Sequence, residues 1–322
     1  MRFPQGRMAG SFSAAAIAAL TVAGAQYFSA QVGSANNPFK QPLTTASGET
    51  QPYYQFPIQR LKEAVPAIRG IRYEASQDQL PVILAGVAKT IADVLPRLPN
   101  LTSREDIYHF QSASTGTASA GPASTQPWSR EFKYLILFHH NPDGGTTIDE
   151  LRTDSKGRPA DSADLSTSPS GYGFANEWLF FRAANQPEFH FRYLGQQDKD
   201  GHKTFVVAFA QDPAKVTNPA RYQSEGKVRV FFYQGVLWID QSSFEIVKLR
   251  TDLLAPLSDL HLRQLTTELS FRSVPIHGYN TAFWLPTEVY IASDQGVGPT
   301  EESHRYSDYH LFHAETRIVP EP

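Results

Sequence analysis

Between about residues 132 and 312 the sequence consists of short segments in which apolar and polar residues alternate, and this pattern constrains the fold more than any other feature. Alternation with a period of two is typical of β-strands, because successive side chains point to opposite faces of a sheet. Most connections are polar and of hairpin length, whereas parallel strands need crossovers of roughly a dozen residues. The predicted strands cover residues 132–139, 147–153, 189–194, 204–210, 227–240, 244–253, 260–273, 284–292 and 303–312.

The pattern therefore predicts a single, mainly antiparallel sheet of about nine or more strands. Several strands carry aromatic residues on one face and charged residues on the other, which indicates that one face is covered. A twisted sheet of this size tends to curl. Within residues 227–240, Gln234 and Gly235 predict a bulge or a sharp bend.

One segment, residues 79–99, has a helical pattern. Pro81 is suited to its first turn, and Pro96 and Pro99 end it because proline cannot donate a backbone hydrogen bond. Apolar residues recur on one side at helical spacing: Ile83, Val87, Ile91 and Val94. The predicted fold class is therefore α+β, a curled sheet or unclosed barrel covered by an N-terminal amphipathic helix.

The first 25 residues have the pattern of a secretory signal. Arg2 and Arg7 precede a short apolar run, and Ala23-Gly24-Ala25 offers small residues for cleavage. Cleavage there predicts a periplasmic or secreted protein without a membrane anchor; a retained anchor is the alternative interpretation.

The rest of the chain divides by composition. Residues 26–59 are rich in Gln, Ser, Thr, Asn and Pro and predict a disordered leader. Residues 60–316 form the predicted domain, with long loops near 112–126 and 154–173, and residues 317–322 form a tail. Loops of this length are functional lids or disordered, and their composition favours disorder.

Composition excludes several function classes. The chain contains no cysteine, which excludes disulfides, thiol catalysis and a lipid-modified cysteine. Its net charge of −3 argues against a nucleic-acid partner.

Chemical motifs are equally sparse. His139, His140 and Asp143 are candidate metal ligands, but adjacent strand residues point to opposite faces, so a strand end that runs into a turn explains them. The run Asp198-Lys199-Asp200-Gly201 reads as a hairpin turn. Neither G-x-S-x-G nor H-E-x-x-H occurs. We therefore expect no metal, no cofactor and no enzymatic activity, with an envelope hydrolase as the third hypothesis.

The second half of the chain resembles the superfamily of bacterial lipoprotein-sorting carriers, the LolA/LolB-like proteins, and in particular an uncharacterised secreted branch. The resemblance lies in a glycine, an apolar strand ending in Asp, a turn and a returning strand. The residues of this hairpin are Gly235-Val236-Leu237-Trp238-Ile239-Asp240 and Ile246-Val247-Lys248-Leu249-Arg250. Two further segments are similar to later strands of these proteins: Phe283-Trp284-Leu285-Pro286-Thr287-Glu288-Val289 and Tyr306-Ser307-Asp308-Tyr309. The resemblance implies an unclosed barrel whose concave face holds acyl chains, although the best-known carriers are much shorter.

These observations predict a non-enzymatic protein that binds a lipid, an acyl chain or another apolar ligand. Residues expected to line the ligand are Phe191, Tyr193, Phe205, Val207, Phe209, Val230, Phe232 and Trp238, and the candidate gate residues are Trp178 and Phe181. Pattern alone leaves open whether these side chains line a cavity or fill it. The alternative function is an envelope protein–protein interaction or scaffold module with a filled core, whose protein partner the sequence does not identify.

Overall fold

The computed structural model describes residues 51–111, 128–140, 146–160, 177–224, 227–277, 279–280, 282–294 and 299–312. The predicted signal peptide, most of the leader, the loop at 112–126, most of the loop at 154–173 and the tail lie outside these residues.

The described part contains two α-helices and thirteen strands. The helices are α1 (Ile58–Ala64) and α2 (Leu80–Val94). The strands are β1 (Arg72–Tyr73), β2 (Leu101–Gln111), β3 (Trp128–His140), β4 (Thr146–Thr153), β5 (Phe189–Lys199), β6 (His202–Gln211), β7 (Ala220–Ser224), β8 (Lys227–Phe231), β9 (Tyr233–Asp240), β10 (Ile246–Leu253), β11 (Gln264–Pro275), β12 (Ala282–Asp294) and β13 (Pro299–Leu311).

Eleven of these strands form one sheet in the order β1-β5-β6-β9-β10-β11-β12-β13-β2-β3-β4, and β7 and β8 form a separate hairpin. Every strand pair is antiparallel. The sheet is unclosed, with β1 and β4 at its edges. The predicted fold, a curled antiparallel sheet with few helices, is confirmed.

The predicted helix is also found. Ile83, Val87 and Ile91 of α2 are buried against the sheet, and a 3₁₀ turn at Leu95–Arg97 follows where Pro96 interrupts the α-helix. We call the sheet face under α2 the inner face; it corresponds to the predicted concave face.

The opposite, outer face is covered by the segment Tyr53–Ile71. Tyr53, Phe56 and Leu61 pack there against Trp238 and its neighbours. The backbone N–H of Tyr53 donates a 2.9 Å hydrogen bond to buried Gln234. The packed part of the chain therefore includes residues 53–59, which the sequence analysis assigned to the leader.

The predicted strand at 227–240 is in fact two strands. The chain leaves the β7–β8 hairpin at Phe232 and enters the main sheet at Tyr233. Gly235 is not a bulge, since it pairs regularly with Phe209 and Thr251. A Cβ at this position would lie 1.9 Å from the carbonyl oxygen of Arg250, so glycine is required by close backbone approach.

Candidate functional site

Strand register determines which predicted ligand-lining residues share the inner face, because directly paired residues point to the same side. Val207 pairs with Tyr193 and Leu237, and Phe209 pairs with Phe191 and Gly235. The structure therefore brings together five of the predicted residues on the inner face: Phe191, Tyr193, Phe205, Val207 and Phe209.

The other three predicted residues lie elsewhere. Trp238 is fully buried on the outer face, where its Nε1 donates a 3.0 Å hydrogen bond to Gln197. Val230 lies half-buried on β8, and Phe232 is buried in the link between β8 and β9. The inner-face positions of β9 are odd-numbered, such as Tyr233 and Leu237, so the even-numbered Trp238 points to the outer face.

The candidate gate lies on the 3₁₀ turn Glu177–Phe181. Phe181 is fully buried against the aromatic residues of the inner face. Trp178 belongs to the same turn, but its side chain is outside the described part of the structure. The side chain of Phe181 therefore fills space on the inner face, and we call this side chain the plug.

The rings around Phe181 meet one another. The centroid of the Phe181 ring lies 5.2 Å from that of Phe209 in an edge-on arrangement, 6.0 Å from that of Phe189 and 6.4 Å from that of Phe191. Phe180 contacts Phe189 and, at 5.7 Å, Tyr233. Offset and edge-on arrangements are favourable for aromatic pairs. This part of the inner face is therefore filled by side chains.

A small number of polar bonds hold the plug and α2 in place. The side-chain amide of Gln186 donates to the carbonyl oxygens of Leu84 on α2, at 2.9 Å, and Phe181, at 3.0 Å. On the other side of α2, the hydroxyl of Thr90 donates to the carbonyl oxygen of Ser243 at 3.0 Å. The turn Glu177–Phe181 and α2, which cover the inner face, are therefore held by side-chain hydrogen bonds and apolar packing and are not part of a strand ladder.

The inner face of β2, β3, β4 and β13 is different, because it carries buried charges. Glu105 is completely buried and accepts two hydrogen bonds from Arg152, from Nε at 2.5 Å and from Nη2 at 2.8 Å. It also accepts a 2.7 Å hydrogen bond from the hydroxyl of Tyr306. Tyr134, whose ring lies under the Arg152 guanidinium, donates its hydroxyl to Glu150.

Two histidines extend this network. Nδ1 of His304 lies 2.9 Å from Oε1 of Glu105, and its Nε2 lies 3.4 Å from Oε2 of Glu302. Nδ1 of His109 lies 2.9 Å from the other oxygen of Glu302. We call Glu105, Arg152, His304, Glu302 and His109 the ionic cluster.

In the ionic cluster, burial and ion pairing have opposite effects on the pKa values of Glu105 and His304. Burial favours neutral Glu105, but the positive charge of Arg152 and the hydrogen bond from His304 outweigh it and lower the pKa of Glu105 to about 2. Burial likewise disfavours charged His304, yet its contacts with Glu105 and Glu302 raise the pKa of His304 above its usual value. Both groups are therefore stabilised in their charged forms.

The ionic cluster does not follow from the sequence pattern, because that pattern does not predict β2. The centre of β2, Arg104-Glu105-Asp106, is charged and hides the apolar alternation. The available signal was polar alternation, with Glu105 and His109 on β2 and Glu302, His304 and Tyr306 on β13. Tyr306, the third of these β13 residues, is buried as well.

The two histidines of the remaining motif make separate contacts, and Asp143 lies outside the described residues. His139 pairs with Asp149 at 2.9 Å, and His140 lies 3.3 Å from the hydroxyl of Thr146, on the opposite face of β3. Within the described ranges no group of three or more histidine or carboxylate side chains is arranged to hold a metal ion. In the same ranges no helix has the length and apolar character needed to cross a bilayer.

Comparison with protein-family models and with curated proteins gives no match. Solved structures similar to this chain include a DUF1329 family protein from Desulfovibrio piger, with 12% identity, 74% of this chain and 95% of the other covered, and a TM-score of 0.40. A putative outer membrane lipoprotein-sorting protein domain from Vibrio parahaemolyticus has 13% identity, 70% and 92% coverage, and a TM-score of 0.37. A LolA superfamily protein from Nitrosomonas europaea has 14% identity, 74% and 94% coverage, and a TM-score of 0.34. These likenesses carry no conclusion about function, ligand or partner.

Proposed function

We propose that this protein is a non-enzymatic carrier that binds a lipid or another apolar ligand on the inner face, beneath α2 and the turn Glu177–Phe181. The observation that carries the proposal is the position of Phe181. Its ring fills the space between the rings of β5 and β6, yet it belongs to a short turn outside the sheet. Displacing it would vacate an aromatic site without breaking a strand pair.

The energetics allow such an exchange. An acyl chain of about sixteen carbons gains roughly 12 kcal/mol on burial, at about 0.8 kcal/mol per CH₂. Exposing one phenylalanine costs about 1.5–3 kcal/mol, and association costs several kcal/mol more. With an association cost of about 4 kcal/mol, the remainder is about 5–6.5 kcal/mol, which corresponds to a dissociation constant of roughly tens to hundreds of micromolar.

We also propose that the protein acts in the periplasm or is secreted. The arginines, the apolar run and the Ala23-Gly24-Ala25 site at its start support export. The resemblance of the second half of the chain to lipoprotein-sorting carriers supports the same compartment.

The rival function is a protein–protein interaction or scaffold module in the envelope. The ring contacts around Phe181 favour this alternative, since they fill the inner face with the protein's own side chains. The two functions differ in whether the Phe181 ring gives way to a ligand.

The test is displacement of a fluorescent fatty-acid probe by unlabelled fatty acids. Phe181→Ala removes the plug and is expected to tighten probe binding relative to wild type. Phe191→Asp, at a half-buried inner-face position, is expected to weaken it, because a charge would meet the acyl chain.

Trp238→Phe on the outer face is the matched control and should leave binding unchanged. Each variant is first shown to be folded by circular dichroism and thermal melting. No saturable binding by wild type and none by Phe181→Ala would contradict the carrier and leave the scaffold function.

A further inference from the structure

The pairing of β2 with β13 joins two parts of the sheet that are distant in sequence. In the strand order β2, β3 and β4 connect to the other eight strands through β13. The pairing runs from Leu101↔Leu311 to Gln111↔Thr300 and is interrupted by a bulge after Ser307. We call this pairing the seam.

The ionic cluster crosses the seam on the inner face. His304 on β13 contacts Glu105 on β2, and Glu302 on β13 contacts His109 on β2. The hydroxyl of Tyr306 donates across the seam to Glu105. Arg152 then ties Glu105 to β4. Side-chain bonds therefore reinforce the backbone ladder where the two parts of the sheet meet.

The contacts of His304 favour a protonated ring. Each ring nitrogen faces a carboxylate oxygen, Nδ1 toward Glu105 and Nε2 toward Glu302. A neutral imidazole has one N–H, so its other nitrogen would direct a lone pair at a negatively charged oxygen. Only the imidazolium can donate to both oxygens.

Within the described residues, His304 is surrounded by side chains of β2, β3, β4, β12 and β13. Val289, its partner on β12, and Ile107, its partner on β2, are uncharged. The charged and titratable groups on the same face are Glu105 and His109 on β2, Glu302, Tyr306 and Tyr309 on β13, Tyr134 and Arg130 on β3, and Glu150 and Arg152 on β4. Burial and the positive charge of Arg152 oppose protonation of His304, but the hydrogen bonds with the two glutamates outweigh them.

We propose that the seam is a pH-sensitive joint, closed while the imidazolium of His304 bridges Glu105 and Glu302 and loosened when His304 loses its proton. This inference does not depend on the ligand of the inner face.

The sign of the dependence follows from the raised pKa of His304 in the folded protein. The bridge stabilises the seam fully below the ordinary histidine pKa of about 6.5. Its contribution is lost as pH rises through the higher value of the closed seam. Loosening is therefore expected on the alkaline side of neutrality.

Hydrogen–deuterium exchange of the full chain tests the proposal, with rates corrected for the intrinsic effect of pH. Protection of residues 101–111 and 299–311 should fall between about pH 6 and about pH 9. The fall should be about tenfold for each unit by which the pKa of His304 in the closed seam exceeds that in the open seam. Protection of β9 and β10 should change less.

His304→Gln should abolish this pH dependence, whereas His139→Gln, which alters an exposed histidine–aspartate pair, should retain it. If His304→Gln fails to fold, NMR titration of the wild-type imidazoles decides. His304 must titrate above the ordinary histidine value of about 6.5. Equal seam protection at both pH values, or a His304 ring that is neutral at pH 6, would overturn the proposal.

Discussion

Phe244 lies directly against the backbone of Gly86: a Cβ at residue 86 would be 2.4 Å from Cδ1 of the Phe244 ring. Phe244 has a φ of +58°, in the left-handed region that non-glycine residues rarely adopt. Its neighbour Ser243 accepts the hydrogen bond from Thr90 of α2. The turn between β9 and β10 therefore fixes α2 over the inner face, and residue 86 must be glycine for the two to fit.

Gly86→Ala tests this contact. In an ordinary helix interior the change stabilises by about 1 kcal/mol. Here the new methyl group meets the base of an aromatic ring, and overpacking costs typically about 1–3 kcal/mol. We expect a net loss of stability, measured by urea unfolding.

The control is the same change in a Phe244→Ala background. Without the ring, alanine at residue 86 should become stabilising, and the double-mutant cycle isolates the contact. A stabilising Gly86→Ala in the wild-type background would show that α2 does not rest on this turn.

The Arg152–Glu105 pair gives a second prediction. Arg152→Met leaves Glu105 buried without its main counter-charge, and breaking a buried pair in this way costs about 3–5 kcal/mol. Arg158→Met is the matched control, because Arg158 pairs with Asp154 at the surface, where such pairs contribute about 0–1 kcal/mol. Chemical denaturation measures the free energy of unfolding of both variants. Equal losses of that free energy would mean that Glu105 is solvated.

Glu245 provides a pH-dependent prediction. Burial, reinforced by the negative charge of Asp240 and opposed by Arg97, raises the pKa of Glu245 to about 7. A carboxyl whose pKa is raised on folding stabilises the protein at low pH, and that contribution is lost as pH rises from about 4.5 through about 7.

Glu245→Gln removes this titration. The melting temperature of the variant, relative to wild type, should therefore be higher at pH 8 than at pH 5, because only the wild type must ionise a half-buried carboxyl. Thermal melts at the two pH values measure it. A difference that does not change with pH would contradict the burial of this side chain.

Much of the fold could be predicted from sequence, because short-range pattern determines most of it. The stripe of Ile83, Val87 and Ile91 identified α2, and alternation identified most strands. The features that could not be predicted depend on contacts between residues that are distant in sequence. No local signal shows that the chain changes sheets at Phe232, and a one-residue change of phase exchanges the faces of a strand.

The candidate site was predictable to a similar degree. Phe191, Val207 and Phe209 share the inner face as predicted, since each lies in a strand with clean alternation. Trp238 was misassigned to that face because its strand begins after the break at Phe232. The ionic cluster depends on β2 and β13 being neighbours, which pairing between distant segments decides and local pattern does not.

The most direct test of the carrier function is native mass spectrometry of the protein purified from its own host, with the Phe191→Asp and Trp238→Phe variants prepared alongside. We expect wild type and Trp238→Phe to carry an additional mass that dissociates as an acyl-containing molecule, and Phe191→Asp to carry little or none. Bare polypeptide masses for all three proteins, unchanged after incubation with lipid, would contradict it.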